Sequence, residues 1–509
     1  MTRRFLKPII TKNITPNSEV KADTPLSPAG QLYQSTELNC SIIYLLGSNT
    51  LIDVDAVKFG LVDSFVKHPR FSSLLVNDKN GGQMSWRRTK VDIHQHVYTP
   101  ELDPNMESPD TYVEDYISNL TDTKLDLAKP LWELHVLNVK TSDANATAVL
   151  KFHHSIGDAI SFTSLLLASS RKASDLELLP SLPKTKRPTS FWNNGHGFWG
   201  PIYTICTMIV MAFNTFVDIM HIFATALFLK DTDTPIKGIP KTVGLSRKRI
   251  VHRIVSFRDI ELVKSALNTT VNDVLLGITM AALSRYLNRK YALYCLAPVT
   301  CGNGKGQDVA RKNYKNLPAN ARLRALLAFN IRPSPGLMPL AEMMKKESKV
   351  KWGNLVTSVV TPITVAVLDD PLDYVRKAKA VVDRKKLSFG PICSYSIGRF
   401  TLKYFGVKQL SAMCYKIASN TTMTFSNVVG PQEEISFYGH HLSYIAPSAY
   451  GHPQALTVHW QSYGEKIVFV LTLDPNVIPD YNNLCADFES SLKLIKDAII
   501  QSGVGVCAC

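Results

Sequence analysis

The sequence predicts an α/β fold arranged as two domains or large lobes. Apolar runs of period two alternate along the chain with runs of helical spacing. At 509 residues the chain exceeds what one ordinary hydrophobic core serves. Its most distinctive stretch, Lys151-Phe152-His153-His154-Ser155-Ile156-Gly157-Asp158-Ala159, has the order strand, tight turn, helix.

Taken in order, residues 1–24 are polar and aperiodic and are expected to be disordered, which leaves 25–190 for the first lobe. Ser41 to Leu46 predicts a strand. Val54 to Lys67 predicts an amphipathic helix with Val57, Leu61, Val62 and Phe65 on its packed side. Met84 to Arg88 is a further strand and Tyr112 to Asn119 a helix. Pro130 to Leu137 should pair beside Thr147 to Phe152, because only a short polar turn separates them. Trp132 reads as core, and Ile160 to Ala168 continues as an apolar helix.

Segment 191–235 is different in kind. Phe198 to Val217 contains no charged residue, and the apolar character continues to Leu229. About 20 apolar residues suffice to span a bilayer core. Pro201, Asn214, Asp218 and His221 oppose that, since a carboxylate and an imidazole are costly in lipid. A spanning helix, a helix lying in the membrane interface and an apolar helix packed on the protein all remain open.

The second lobe is expected over 236–509. Arg247 to Phe257 predicts a strand and Asp259 opens a helix. Thr270-Val271-Asn272-Asp273 has capping-box spacing, so Asn272 and Asp273 read first as initiators of a helix running through Tyr286. Gly302-Asn303-Gly304-Lys305-Gly306 lacks phosphate-loop spacing and reads as a surface loop. Arg324 to Arg332 is a strand, Gly353-Asn354 a loop and Val356 to Val367 an apolar strand. Leu372 to Lys386 predicts a basic amphipathic helix, either a solvated face or a surface for anions. Phe425 to Pro431 is a strand leading to a turn, Ala455 to Gln461 and Lys466 to Leu473 form a hairpin, and Asp480 opens a last helix.

Lys and Arg outnumber Asp and Glu by 57 to 42, a net charge of +15. Such an excess serves nucleic acid, an anionic membrane surface or a phosphorylated substrate. No zinc-finger spacing, arginine-rich helix or RNA-binding sheet motif is present, so nucleic acid is excluded as the expected partner. Nine cysteines without CxxC pairs argue against disulfides and metal sites and for a reducing compartment. No apolar run follows Met1-Thr2-Arg3-Arg4-Phe5, so no secretory signal is expected, and Cys507-Ala508-Cys509 has only a superficial likeness to a prenylation tail.

The paired histidines are the candidates for chemistry. Strand side chains alternate, so His153 and His154 should point to opposite faces, and only one can be a working base. Neutral imidazole can take a proton from an alcohol near neutral pH. Asp158 can cap the following helix or hold an arginine. The bland alternative is a structural histidine pair with a capping aspartate.

The stretch His153-His154-Ser155-Ile156-Gly157-Asp158-Ala159 resembles the HHxxxDG motif of CoA-dependent acyltransferases. Further motifs follow in the order of one family: Pro25-Leu26-Ser27-Pro28, Pro130-Leu131-Trp132-Glu133, Asn272-Asp273-Val274-Leu275, Asn330-Ile331-Arg332-Pro333 and Ser426-Asn427-Val428-Val429-Gly430-Pro431. With them, the chain resembles the plant wax ester synthase/diacylglycerol acyltransferase family over most of its length.

The resemblance implies two chloramphenicol-acetyltransferase-like lobes meeting at a channel. It implies His154 as general base, His153 as its motif companion, and Asp158 in an orienting role with Arg332 as structural partner. Trp132, Asn272, Asp273, Asn427 and Gly430 would line the channel. Acyl-CoA is the implied co-substrate, with no permanently bound cofactor or metal, and fatty alcohol or diacylglycerol the acceptor. The implied address is the endoplasmic reticulum membrane, with the plasma membrane second. One departure stands out: Ala159 replaces the motif's final glycine, which is harmless unless the position needs φ > 0. The rival readings are a soluble small-acceptor acyltransferase and a non-catalytic lipid-binding protein.

Overall fold

Strand pairing among the described residues builds three sheets, a three-stranded and a seven-stranded one in the first compact unit and a six-stranded one in the second. The computed structural model describes residues 24–77, 84–103, 105–181, 200–239, 246–296, 316–318, 320–332 and 352–503. The N-terminal 23 residues, Gly302-Asn303-Gly304-Lys305-Gly306 and Cys507-Ala508-Cys509 lie outside them. Unit 1 comprises Met1–Thr185, Arg332–Val356 and Val428–Ala449; unit 2 comprises Lys186–Ile331, Thr357–Asn427 and Tyr450–Cys509. The segments around Arg332 and Gly430, expected in the second lobe, thus pack within the first. The apolar segment expected to stand apart packs within the second.

In unit 1 a seven-stranded sheet has β1 (Ser41–Ser48), β2 (Trp132–Leu137) and β3 (Ala146–His153) at its centre in the spatial order β2, β3, β1. Both pairings are antiparallel, with Trp132 opposite Phe152 and Ser41 opposite His153. All eight residues of β1 and of β3 are buried, as in a strand covered on both faces. Helix α1 (Ala159–Ala168) follows β3 after five residues and is apolar nearly all round, which suits a helix buried on most of its surface. The helix expected over 54–67 ends at Asp63, and a 3₁₀ turn, Phe65–Lys67, replaces its last turn. This break leaves Val57, Leu61 and Phe65 buried while Val62, expected on the packed side, is exposed.

Unit 2 holds a six-stranded sheet in which Leu323–Asn330 and Met423–Val428 run parallel. The hairpin Leu456–Tyr463 with Lys466–Leu473 continues it, and Arg249–Ser256 closes that side. Its core is assembled on the long helix Val271–Leu296, which runs ten residues beyond the expected end. At Gly277 this helix approaches Val375 so closely that a Cβ would lie 2.8 Å from the neighbouring backbone.

Helix α2 (Gly200–Leu227) is the apolar segment, and over Pro201–Leu227 it is long and apolar enough to cross a bilayer. Three of its polar residues, Asn214, Asp218 and Thr225, are buried in one stripe against the rest of unit 2. The partners of Asn214 and Asp218 come from α3 (Leu372–Lys386) and the turn that leads to α4 (Gly390–Ser419), while Thr225 accepts from Arg324. Lys385 Nζ lies 2.6 Å and Arg384 Nη2 2.7 Å from Asp218 Oδ1, Ser388 donates to Oδ2, and Asn214 donates to the Leu387 carbonyl. Burial alone would raise the Asp218 carboxyl, but these donors hold it below the usual carboxylate range. The remaining cations of α3 are largely paired: Arg376 with Asp370 and Asp373, Lys379 and Lys386 with Asp383.

Candidate active site

Sheet pairing fixes the first histidine and releases the second. His153 is the last residue of β3, and its amide donates to the Leu131 carbonyl; the His154 amide donates to Cys40. The side chains diverge. The His153 ring is buried, with Nδ1 accepting from the Ser155 amide at 3.1 Å and from Gln34 Nε2 at 2.9 Å. A ring nitrogen that accepts from an amide carries no proton, so the proton of neutral His153 is on Nε2, which donates to Asn39 Oδ1 at 2.9 Å. Burial, then the neighbouring His154, pushes this imidazole down to about 3. With both nitrogens engaged, His153 is a structural ring.

His154 has the opposite tautomer. Asn354 Nδ2 donates to the His154 carbonyl at 2.8 Å, and a carbonyl can only accept, so the amide's oxygen faces the ring. Asn354 Oδ1 lies 3.0 Å from His154 Nδ1, which therefore carries the proton. The lone pair is on Nε2, and among the described residues no group hydrogen-bonds to it. Tyr33 stacks on the ring with centroids 4.0 Å apart, fixing its plane. Burial holds the imidazole below its ordinary value; its own backbone, Asp158 and Asn354 oppose this only in part.

Asp158 ties the turn to the segment carrying Asn354. As N-cap of α1 it accepts from the Ser161 amide at 2.9 Å through Oδ1, and Oδ2 accepts from the Leu355 amide at 3.0 Å. Arg332 Nη2 lies 2.8 Å from both carboxylate oxygens and also donates to Ser161 Oγ and the Gly353 carbonyl. Both side chains of this ion pair are nearly inaccessible, at 3 and 4% exposure. Trp352 Nε1 donates to the Ile156 carbonyl at 2.7 Å, and its ring packs over Gly157, where a Cβ would come within 3.3 Å. Ala159, in contrast, is the first helical residue of α1 and is not among the positive-φ positions, so its methyl costs nothing there. The departure from the glycine motif loses its force as a sign of lost catalysis.

The structure thus brings His153, His154, Asp158 and Arg332 together within unit 1. Trp132 is fully buried, its Nε1 donating to the Phe71 carbonyl at 2.9 Å, so it stands in the core behind the histidine strand and presents no surface to a channel. Gly430 belongs to unit 1 and is buried. Asn272, Asp273 and Asn427 belong to unit 2. Asp273 accepts from the Thr270 amide at 2.8 Å and donates its own amide to Thr270 Oγ1, the reciprocal pattern of a capping box. Sequence reading passed over Asn354, Trp352 and Tyr33. The one available signal was the triplet Trp352-Gly353-Asn354, an aromatic, a glycine and an amide in a segment otherwise read as a loop.

Solved structures share this fold. A wax ester synthase/diacylglycerol acyltransferase from Marinobacter aquaeolei VT8 superposes with a TM-score of 0.56 at 16% identity, covering 94% of this chain and 99% of that one. The first condensation domain of the CDA synthetase gives 0.53 at 10% identity, covering 94 and 97%. The architecture is therefore the two-lobed α/β fold common to these proteins. Residues 50–275 match the model of the wax ester synthase/diacylglycerol acyltransferase catalytic domain, and residues 352–496 that of the WS/DGAT C-terminal domain. Wax ester synthase/diacylglycerol acyltransferase 11 of Arabidopsis thaliana is 45% identical over 96% of this chain and 97% of its own length; number 4 is 44% identical over 95 and 92%. The chain belongs to the wax ester synthase/diacylglycerol acyltransferase family and is an acyltransferase.

Proposed function

We propose that the protein transfers a long-chain acyl group from acyl-CoA to the hydroxyl of a fatty alcohol, of diacylglycerol, or of both, with His154 as general base. The observation that carries the reading is the proton-free Nε2 of a ring held by Asn354 and Tyr33. Nε2 removes the hydroxyl proton as the oxygen attacks the thioester carbonyl. The new C–O bond forms a tetrahedral intermediate, whose collapse breaks the C–S bond. The imidazolium then gives its proton to the departing CoA thiolate, and no covalent enzyme intermediate is needed. His153 and the Asp158–Arg332 pair position this turn without touching substrate. Acyl-CoA enters as co-substrate, and no resident cofactor takes part.

The substrates are lipids, and α2 offers a place for an enzyme that meets them at a membrane. Its polar stripe is turned onto unit 2 while Ile205, Ile209, Phe213 and Phe216 are exposed, an arrangement suited to lying in the interface rather than crossing it. The endoplasmic reticulum membrane is the proposed address, with the plasma membrane second. Purified protein offered palmitoyl-CoA with hexadecanol and with diacylglycerol in parallel tests the assignment. Wax ester or triacylglycerol is expected. Absence of ester with both acceptors, from protein shown to be folded, contradicts it.

A further inference from the structure

The reading of α2 as an interfacial helix leaves α4 unassigned, although α4 carries the more specific chemistry. We infer that α2 and α4 form one docking platform for an anionic phospholipid surface, with the first half of α4 as its charged aromatic edge. The inference rests on the proposed membrane seating of α2 and extends it to a second helix and to a lipid class.

The two helices are continuous as a surface. A groove of about 1050 Å³ between them is lined by Met208, Met211, Phe216 and Ile219 of α2 and by Ile392 and Cys393 of α4. Phe400 and Tyr404 lie seven and eleven residues beyond Cys393, so helical periodicity puts them on the same side of α4 as that groove wall. Phe400, Tyr404 and Phe405 are 56, 62 and 60% exposed and pack on one another, with 4.6 Å between the Phe400 and Tyr404 centroids. Three exposed rings in contact with each other and uncovered by protein are what a bilayer interface accepts, as aromatic residues favour the headgroup level.

Charge selects the occupant. Gly390 to Ser419 contains no Asp or Glu, and the single carboxylate of α2, Asp218, is buried in its ion pairs. The exposed formal charges of the two helices are therefore Arg399, Lys403, Lys408 and Lys416, all positive, and none has an ion-pair partner among the described residues. Lys403 Nζ lies over the Tyr404 ring at 5.1 Å, so cation and ring share one edge. A second copy seated on this face in a symmetric pair would set cations against cations. Anionic headgroups neutralise them, each cation being worth about fivefold in partitioning near such a surface.

Backbone geometry decides between lying on the membrane and crossing it. Gly406 breaks the helical course of α4 with φ of 85°. The stretch before it, Gly390 to Phe405, reaches about 24 Å, short of a hydrocarbon core of roughly 30 Å. Interrupted helical hydrogen bonding in the middle of lipid is costly, but at the headgroup level water satisfies it.

Flotation of the full-length protein with vesicles tests the platform, comparing phosphatidylcholine alone with vesicles in which about a third is phosphatidylserine. Wild type should partition more strongly onto the anionic vesicles. Arg399→Gln/Lys403→Gln should lower partitioning onto anionic vesicles by an order of magnitude or more and change it little on neutral ones. Phe400→Ser/Tyr404→Ser/Phe405→Ser should lower it on both. The glutamine pair, two exposed polar changes, keeps the test decisive if the serine triple does not fold. Wild type that prefers neither vesicle, or a glutamine pair that floats like wild type, overturns the inference. So does a wild-type dimer that the serine triple dissociates while its vesicle binding is unchanged. Ester formation in detergent, measured on the same preparations, reports separately on the proposed acyl transfer: full activity with lost flotation leaves that reading standing, and no activity with intact flotation strikes only that reading.

Discussion

The proton that Asn354 holds on Nδ1 of His154 leaves the basic lone pair on Nε2, and the imidazolium formed there would strengthen the same hydrogen bond. A hydrogen bond to a charged group contributes about 1.5–3 kcal/mol. Asn354→Leu should therefore lower kcat by roughly ten- to a hundredfold with a smaller change in KM, measured by steady-state ester formation. Loss of KM alone would mean that Asn354 serves binding. Because burial lowers the His154 pKa, the neutral base persists below the ordinary imidazole value of 6.5. The acid limb of kcat/KM should accordingly fall below pH 6.5, and a limb at or above it would point to another base. Neither the tautomer nor Asn354 was legible in the sequence. Motif spacing named the histidines, but the residue that orients the second is 200 positions away and arrives through a loop.

Elements were legible wherever one face is buried and the period is clean: β1, β3, the hairpin near the C-terminus and α3 emerge within a few residues of their expected bounds. Helix α4 was not anticipated, and neither was the strand His440–Tyr450. The first has few buried residues for its thirty and a break at Gly406, so no apolar stripe of constant phase runs along it. In the strand nine of eleven residues are buried, which erases the alternation that marks a strand with one wet face. The turn after β3 is held by Asp158 and Arg332, both nearly inaccessible. Asp158→Ala removes the carboxylate that faces the buried guanidinium and should cost about 3–5 kcal/mol in denaturant unfolding of unit 1. Asp218→Ala does the same to the fully buried Lys385 in unit 2, with a loss of similar size expected in thermal or urea melts. A loss under 1 kcal/mol at either site would show that its cation finds water or another partner.

For the whole molecule, 509 residues foretold two cores but not that the chain passes between them more than once. Apolar periodicity records whether a segment is buried and carries no label for which core buries it. The segments of Arg332 and Gly430 were for that reason placed by chain position alone. Acid stability is a property at this scale. His68 and His153 are both buried and pushed down to about 3, first by burial. Each binds a proton less readily folded than unfolded, so the stability it contributes is complete above pH 6.5 and is lost as pH falls toward 3. The slope is about 1.4 kcal/mol per pH unit for each ring over that window. Urea midpoints at pH 7, 6 and 5 should fall progressively, and ring resonances of both residues should stay at the neutral position to pH 5. Titration of either ring near 6.5 in the folded protein would contradict its burial as a neutral group.

The most direct test of the central claim is the ratio of kcat for His154→Ala to wild type with palmitoyl-CoA and the better of the two acceptors, on protein with unchanged circular dichroism. A general base accounts for about 10²–10⁴-fold in rate, so a fall of that order is predicted. A folded His154→Ala enzyme with wild-type turnover would contradict the mechanism.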